Sequence, residues 1–295
     1  MSEPTRPVLR WHGGKWMLAP WIISHFVDHR VYVEPFGGAA SVLMRKPRAY
    51  AEIYNDLDGD VVNLFRVLRS PHAAALKEAM RLTPFAREEF ALAMAETSPS
   101  DPVERARRLV TRSFMGFGSN GHNADSKTGF RSTSNRSGTT PAHDWARYPD
   151  CLDAIVERLR GIVIDNRDAR DVMAQQDSAE TLHYVDPPYM PETRNARSGK
   201  SRDGRLGVYR HELNAGEHDD LLAFLRGLQG MVALSGYPSP AYDAALPEWR
   251  RVEREALADG AAKRTEVLWI NPALAHRLDA RAAGACAPLF ARLQA

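Results

Sequence analysis

The sequence predicts an α/β protein built on a mostly parallel β-sheet covered by helices, with one helical insertion. Three observations carry this expectation. Short apolar or β-branched runs recur at residues 31–34, 49–54, 162–165, 182–185, 231–234 and 267–270. Helical patterns lie between several of them, such as 58–69 with Val61, Val62, Leu64, Phe65 and Leu68, and 214–228 with Leu221, Leu222 and Leu225. Strands alternating with crossover helices build a parallel sheet. Finally, residues 70–150 contain no clear strand pattern, which marks them as an insertion.

The elements follow in chain order. A helical stretch over residues 16–29 enters the first strand, 31–34. A small-residue turn and a helix follow, then the second strand, 49–54, and the helix at 58–69. Helices are predicted over 71–81, 84–96 and 101–115, with Pro71 and Pro84 near their starts, where proline is tolerated. Residues 116–141 read as a long polar loop, and such loops in compact domains are usually functional or disordered. After the remaining strands, the Ala-rich tail from Pro272 reads as a closing helix. The expected organisation is a discontinuous catalytic body, 1–69 with 151–295, carrying an inserted helical segment, 70–150. Internal repeats and low-complexity tracts are absent.

The composition is that of an ordinary soluble protein: 295 residues, 44% hydrophobic and 26% charged. No apolar run approaches the roughly 18 residues of a membrane helix; residues 16–23 are typical of the longest. The N-terminal residues lack a signal-peptide apolar core. Cys151 and Cys286 cannot build a disulfide framework, so a reducing cytoplasm is expected. The net charge is only +2, but it is unevenly spread. Residues 105–147 hold eight bases against two acids, and residues 190–215 six against three, which leaves the remainder at −7. Both segments are rich in Gly, Ser, Thr and Asn. Loops reaching for phosphates and solvated loops with incidental charge explain them equally well.

Three motifs sit at strand ends. Glu34-Pro35-Phe36-Gly37-Gly38-Ala39-Ala40-Ser41 follows the first strand. Small residues there let a ligand approach the backbone, although a purely structural turn is an equal reading. Asp56 ends the second strand, where an acid commonly accepts ribose hydroxyls; a turn or helix cap is the alternative. Together they point to a cofactor containing a nucleoside. Asp186-Pro187-Pro188-Tyr189 follows the run 182–185. Its two prolines remove two amide donors and leave carbonyls beside a carboxylate. A cluster of acceptors without a competing donor suits an exocyclic amine, and Tyr189 offers a flat ring for a base.

With Trp11-His12-Gly13-Gly14-Lys15 preceding these motifs, the sequence resembles the Dam-type (alpha group) N6-adenine-specific DNA methyltransferases. The resemblance runs from about residue 9 to residue 272. It includes Tyr209-Arg210-His211-Glu212, Leu234-Ser235-Gly236-Tyr237 and Thr265-Glu266-Val267-Leu268-Trp269-Ile270-Asn271, which are closer to phage and prophage members. It implies a Rossmann-like methyltransferase fold with helices on both faces and a target-recognition insertion. The implied reaction moves a methyl group from S-adenosylmethionine to N6 of a flipped-out adenine in double-stranded DNA, leaving S-adenosylhomocysteine.

The resemblance also implies site residues. Asp186, Pro187, Pro188 and Tyr189 form the catalytic set. Trp11, Gly14, Lys15, Glu34, Pro35, Phe36, Gly37, Gly38, Asp56, Asp168 and Asp186 form the cofactor set, with Asp56 on the ribose and Asp168 on the cofactor adenine. Ala169 stands where the family often has an aromatic residue. Candidate DNA contacts are Arg112, Ser113, Phe114, Lys127, Arg131 and Arg136 in the insertion, and Arg194, Arg197, Lys200 and Arg202 after the proline pair. The aromatic-Asn-Pro pattern of the cellular GATC enzymes is absent, so GATC specificity is not implied. The expected setting is the cytoplasm of a bacterial or phage-infected cell, as a monomer or weak dimer, with a restriction endonuclease as a compatible counterpart.

Cytosine-ring methylation needs a cysteine nucleophile, usually after proline, and Cys151 and Cys286 follow Asp150 and Ala285. N4-cytosine methylation uses the same acceptor logic and stays open, although Asp before the prolines favours adenine. A catalytically inactive DNA-binding relative and an RNA target are further alternatives. No metal or membrane is expected: His25 and His29 lie four apart, but without an acidic base or a third ligand.

Overall fold

The structure, a computed structural model, describes residues 3–95, 99–118, 128–132, 139–190, 193, 210–257 and 263–285. Among them the six apolar runs and one further, charged strand pair into one seven-stranded sheet. Its strands are β1 (Val31–Glu34), β2 (Ala51–Asn55), β3 (Ile162–Asp165), β4 (Thr181–Val185), β5 (Met231–Gly236), β6 (Arg250–Leu257) and β7 (Lys263–Ile270). The order across the sheet is β3-β2-β1-β4-β5-β7-β6. Pairings from β3 through β5 are parallel, whereas β7 runs antiparallel to both β5 and β6. The predicted α/β class with a mostly parallel sheet is the one observed.

Alternation along each central strand divides its side chains between two cores. Tyr32, Leu182, Tyr184, Ala233, Leu268 and Ile270 join one apolar cluster. Val33, Val185, Val232, Leu234, Val267 and Trp269 join the other. This is the two-residue period of a strand buried on both faces. The first face carries α1 (Ala19–Ser24), α2 (Ser41–Arg45), α3 (Gly59–Leu68) and the closing helix α12 (Pro272–Ala285).

Between β2 and β3 lie α4 (Ala73–Leu82), α5 (Arg87–Ala93), α6 (Pro102–Met115), α7 (Pro141–Ala146) and α8 (Leu152–Arg158). Their apolar side chains extend the first core. The second face is covered by α9 (Ala169–Gln176), α10 (Ala215–Arg226) and α11 (Pro240–Ala245).

Capping fixes several helix starts. Asp101 accepts from the amides of Val103 and Glu104 with Pro102 in the first turn, and Asn214 forms a reciprocal capping box with Glu217. Two expectations differ from what is observed. The stretch 16–29 contains only the six-residue α1, because Pro20 sets its start and the His25 ring bonds the Trp21 carbonyl at its end. Strand β6 has no apolar period at all. It is a charged edge strand, the usual protection of an exposed sheet edge.

The insertion corrects three expected DNA contacts. Helix α6 packs its face on α3, so its last turn points inward. Arg112 Nη2 donates to Asp60 Oδ2 at 3.1 Å, and the Ser113 hydroxyl donates to the Arg10 carbonyl at 2.8 Å. The Phe114 ring lies 4.6 Å from that of Tyr148. All three residues are buried and belong to the core, not to a DNA-facing surface. Beyond α6, Gly116 and Phe130 form an isolated antiparallel bridge, with the Arg131 amide donating to the Met115 carbonyl at 2.7 Å. Lys127, Arg136, Arg194, Arg197, Lys200 and Arg202 lie outside the described residues. Among the described residues, no helix is long and apolar enough to cross a membrane, and no group of three or more His, Cys, Asp or Glu could hold a metal ion.

One strand histidine makes stability depend on pH. His183 is fully buried on β4, 3.4 Å from Asp177, and burial lowers its pKa to about 4. The unfolded chain binds a proton near pH 6.5 and the folded chain does not. Stability is therefore full above pH 6.5 and falls as pH drops toward 4, by about 3 kcal/mol from this group. Urea unfolding across this range should show the decline, and His183→Gln should flatten it.

Candidate active site

The sheet reverses its winding direction between β1 and β4, and the carboxyl ends of adjacent strands diverge there into a crevice. A cavity of about 430 Å³ occupies it, in the range of small-ligand sites. All eleven residues of the expected cofactor set line it: Trp11, Gly14, Lys15, Glu34, Pro35, Phe36, Gly37, Gly38, Asp56, Asp168 and Asp186. They arrive from five separate parts of the chain.

The turn after β1 is held by the strand beside it. The Gly37 amide donates to the Asn55 carbonyl at 2.8 Å, and the Tyr54 hydroxyl donates to the Gly38 carbonyl at 2.7 Å. The Asn55 side chain donates to the carbonyls of Pro35 and Arg167 at 2.9 and 3.0 Å, and accepts from the Arg167 amide. One buried amide thus joins the loops after β1, β2 and β3.

Glycine is required twice in this turn. A Cβ on Gly37 would fall 2.1 Å from the Tyr54 ring. Gly38 has φ +47°, and a Cβ there would lie 2.6 Å from the Trp11 indole nitrogen. The turn therefore brings backbone, rather than side chain, to the cavity wall.

Asp56 accepts from the amides of Gly38 at 2.7 Å and Asp58 at 2.8 Å, one on each oxygen. A carboxylate has about four acceptor sites, so it can still receive ligand hydroxyls. Burial raises its pKa to about 6. Glu34 accepts from the Tyr32 hydroxyl at 2.7 Å and the Leu43 amide at 2.9 Å, and burial raises its pKa to about 8. It anchors α2 as well as lining the cavity. Asp168 caps α9 by accepting from the Arg170 amide at 2.8 Å.

At the opposite end, Lys15 is only 4% exposed. Its ammonium lies 3.0 Å from Asp186 Oδ2 and donates to the Gly13 carbonyl at 2.6 Å. Burial pushes the Asp186 carboxyl above the ordinary range, and the ammonium pulls it back. Asp186 Oδ1 is buried and has no hydrogen-bond partner. An unpaired buried carboxylate oxygen is costly, so it marks an acceptor held ready for a donor. Pro188 lines the cavity beside Asp186, whereas Pro187 and Tyr189 are not among its lining residues.

The sequence reading did not assign the opposite wall. Leu57, Asp58, Arg210, His211, Glu212, Leu213, Glu217, Asp220 and Leu221 complete it. The match of Tyr209-Arg210-His211-Glu212 was its only signal in the sequence. Eight acids line the cavity (Glu34, Asp56, Asp58, Asp168, Asp186, Glu212, Glu217, Asp220) against Lys15, Arg170 and Arg210 among the lysines and arginines. That balance favours a ligand carrying positive charge.

A family model described as D12 class N6 adenine-specific DNA methyltransferase matches residues 11–205. The DNA adenine methylase of Vibrio cholerae serotype O1 is 35% identical over 77 residues, 26% of this chain and 27% of that protein. That of Serratia marcescens is 28% identical over 197 residues, covering 64% of this chain and 68% of that protein. That of Escherichia coli K12 is 25% identical over 201 residues, covering 64% and 66%. The match thus spans about a quarter of the Vibrio protein's length and about two thirds of the other two.

The packing of the turn gives a direct test. Gly37→Ala should destabilise the protein by about 1–3 kcal/mol, the cost of overpacking a closed contact. Gly129→Ala, where a Cβ meets nothing within 4 Å, should change little. Urea midpoints of the two variants check this.

Proposed function

The chain belongs to the D12 class of N6 adenine-specific DNA methyltransferases, and on that premise we propose that it methylates adenine N6 in double-stranded DNA, using S-adenosylmethionine and releasing S-adenosylhomocysteine. It acts in the cytoplasm of a bacterial or phage-infected cell. The observation that carries this reading is the unpaired, buried Asp186 Oδ1 beside two prolines that have no amide hydrogen to offer it.

When bound, S-adenosylmethionine supplies an electrophilic methyl group on a sulfonium. The residues present fit it: a glycine-lined turn, a carboxylate with spare acceptor sites at the end of β2, and an acidic lining suited to a cation. In this reading Trp11, Gly14, Lys15, Glu34, Pro35, Phe36, Gly37 and Gly38 surround the methionine end. Asp56 takes the ribose hydroxyls and Asp168 the cofactor's adenine.

The target adenine is a poor nucleophile at N6, because its lone pair is delocalised into the ring. Asp186 Oδ1 and the Pro187 carbonyl accept the two amine hydrogens, which favours a pyramidal nitrogen with its lone pair freed. Lys15 favours the ionised form of Asp186 against the cost of burial. The protein otherwise aligns the reactants and excludes water. The base leaves the duplex to enter the crevice, and Tyr189 is the ring that meets it.

Residues 70–150 form the target-recognition segment in this reading, and 1–69 with 151–295 the catalytic body. With Arg112, Ser113 and Phe114 assigned to the core, Lys127, Arg131 and Arg136 are the insertion's DNA contacts. Arg194, Arg197, Lys200 and Arg202 supply a second set.

Methylation of a defined plasmid followed by mapping of modified bases tests the reading, and N4-methylcytosine in place of N6-methyladenine would overturn the base assignment. Asp186→Ala should lower the rate by at least about a thousandfold while leaving DNA affinity within about threefold. Replacing Arg194, Arg197, Lys200 and Arg202 together by alanine should reduce the slope of log affinity against log salt by about 3–4, as measured by DNA-binding titrations at several salt concentrations.

A further inference from the structure

Tyr189 is held on three sides. Its ring is 9% exposed, with the Lys15 ammonium 4.8 Å from its centroid. Tyr237 meets it edge-to-face at 4.6 Å and 78°. Its hydroxyl donates to Glu266 Oε2 at 3.0 Å. Glu266 lies on β7, 77 residues along the chain from Tyr189, and is 8% exposed.

A second buried carboxylate beside Asp186 is expensive. The charge on Asp186 raises the cost of ionising Glu266, and Lys15 is the cation that both feel. The other groups facing this pair are Glu34 from β1, Tyr184 from β4, and Arg264 from the same face of β7. Arg264 already donates to the Tyr237 hydroxyl at 2.6 Å. Buried, mutually repelling groups of this kind gather where a site needs them.

The bond pattern indicates what Glu266 does. The Tyr189 hydroxyl has two carboxylates within its reach, Asp186 and Glu266. The closed hydrogen bond goes to Glu266, and Asp186 Oδ1 stays unpaired. We infer that Glu266 is a positioning residue that takes up the Tyr189 hydroxyl, which fixes the ring for the target base and keeps Asp186 Oδ1 open for the amine hydrogen. This role rests on the adenine-methylation reading. It makes the β6–β7 hairpin a working part of the site, because β7 is the element that carries Glu266 to the catalytic turn.

The test compares the wild type with Glu266→Gln, Glu266→Leu, Tyr189→Phe and the Glu266→Leu/Tyr189→Phe double variant. Steady-state methyl transfer is measured across pH. Base extrusion is followed separately by the fluorescence of 2-aminopurine at the mapped target position, without cofactor. Glu266→Leu should lower kcat by at least about thirtyfold with the KM for DNA within about threefold, and should change the fluorescence of the extruded base. In the Tyr189→Phe background the same change should cost less than about threefold, because no hydroxyl remains to fall onto Asp186. Glu266→Gln keeps an acceptor for Tyr189 but removes a negative charge beside Asp186. It should hold kcat within about fivefold and move the acid limb of the kcat profile to lower pH.

Equal costs of Glu266→Leu in both backgrounds, or an unmoved acid limb in Glu266→Gln, would overturn the inference. The amide variant is isosteric and keeps the test valid if the leucine variant fails to fold. A wild-type protein that transfers no methyl to adenine defeats the functional reading itself. An active wild type with either overturning result defeats this inference alone.

Discussion

The ion pair between Lys15 and Asp186 is the interaction on which the site depends. A buried ammonium and a buried carboxylate are each costly alone, and at 3.0 Å each makes the other tolerable. The pair ties the N-terminal loop to the turn after β4, and the ammonium offsets part of the cost of burying the Asp186 carboxylate. Lys15 also lies over the Tyr189 ring, so one cation orients both the acceptor and the aromatic group. Around it the site holds further carboxyl groups at different levels of protonation. Glu34, with a pKa of about 8, is largely neutral at pH 7, whereas Asp56, at about 6, is largely ionised. The ligand-facing charge of the crevice is therefore smaller than a count of acidic residues suggests.

A second constraint is the amide of Asn55. The loops after β1, β2 and β3 converge on it, and it satisfies backbone groups from two of them. The glycine turn can then press against Tyr54 and Trp11 without side chains of its own. Rigid backbone at strand ends is how an open α/β sheet presents a site, since the strands fix positions that loops alone could not.

Much of the fold and site was legible along the chain. Strands β1 to β5 and β7 announce themselves as short apolar runs, and for the central strands the reason is burial on both faces, which calls for apolar residues continuously. All of the expected cofactor set lines one cavity, because most of its residues sit at strand ends that the topology gathers together, with the N-terminal loop of Trp11 to Lys15 packed against them. Two features were not legible. Strand β6 alternates charges and owes its existence to pairing with β7. The wall from Arg210 to Leu221 enters the site by packing of α10 on the second face, which no local pattern records.

Charge shows the division between sequence and tertiary structure most clearly. The sequence by itself determined that bases concentrate in residues 105–147 and 190–215, and that the acceptor motif stands between these segments. Only the tertiary structure decided which of those bases are already spent. Arg105 and Arg112 pair with Asp60, and Arg107 and Arg108 pair with Glu104. Arg210 reaches Asp58 and Asp60 from beyond the turn after β4. The Glu104 pairs are local, at i,i+3 and i,i+4 on α6, but Asp58 and Asp60 lie far from the basic windows, so a count along the chain cannot find them. Asp60 on α3 instead gathers Arg105 and Arg112 of α6 and Arg210 from the segment after the proline pair at one point. The physical reason is that burial and pairing are properties of position in space: local patterns reveal strands and turns, but the partner of a charge is known only once the chain has folded.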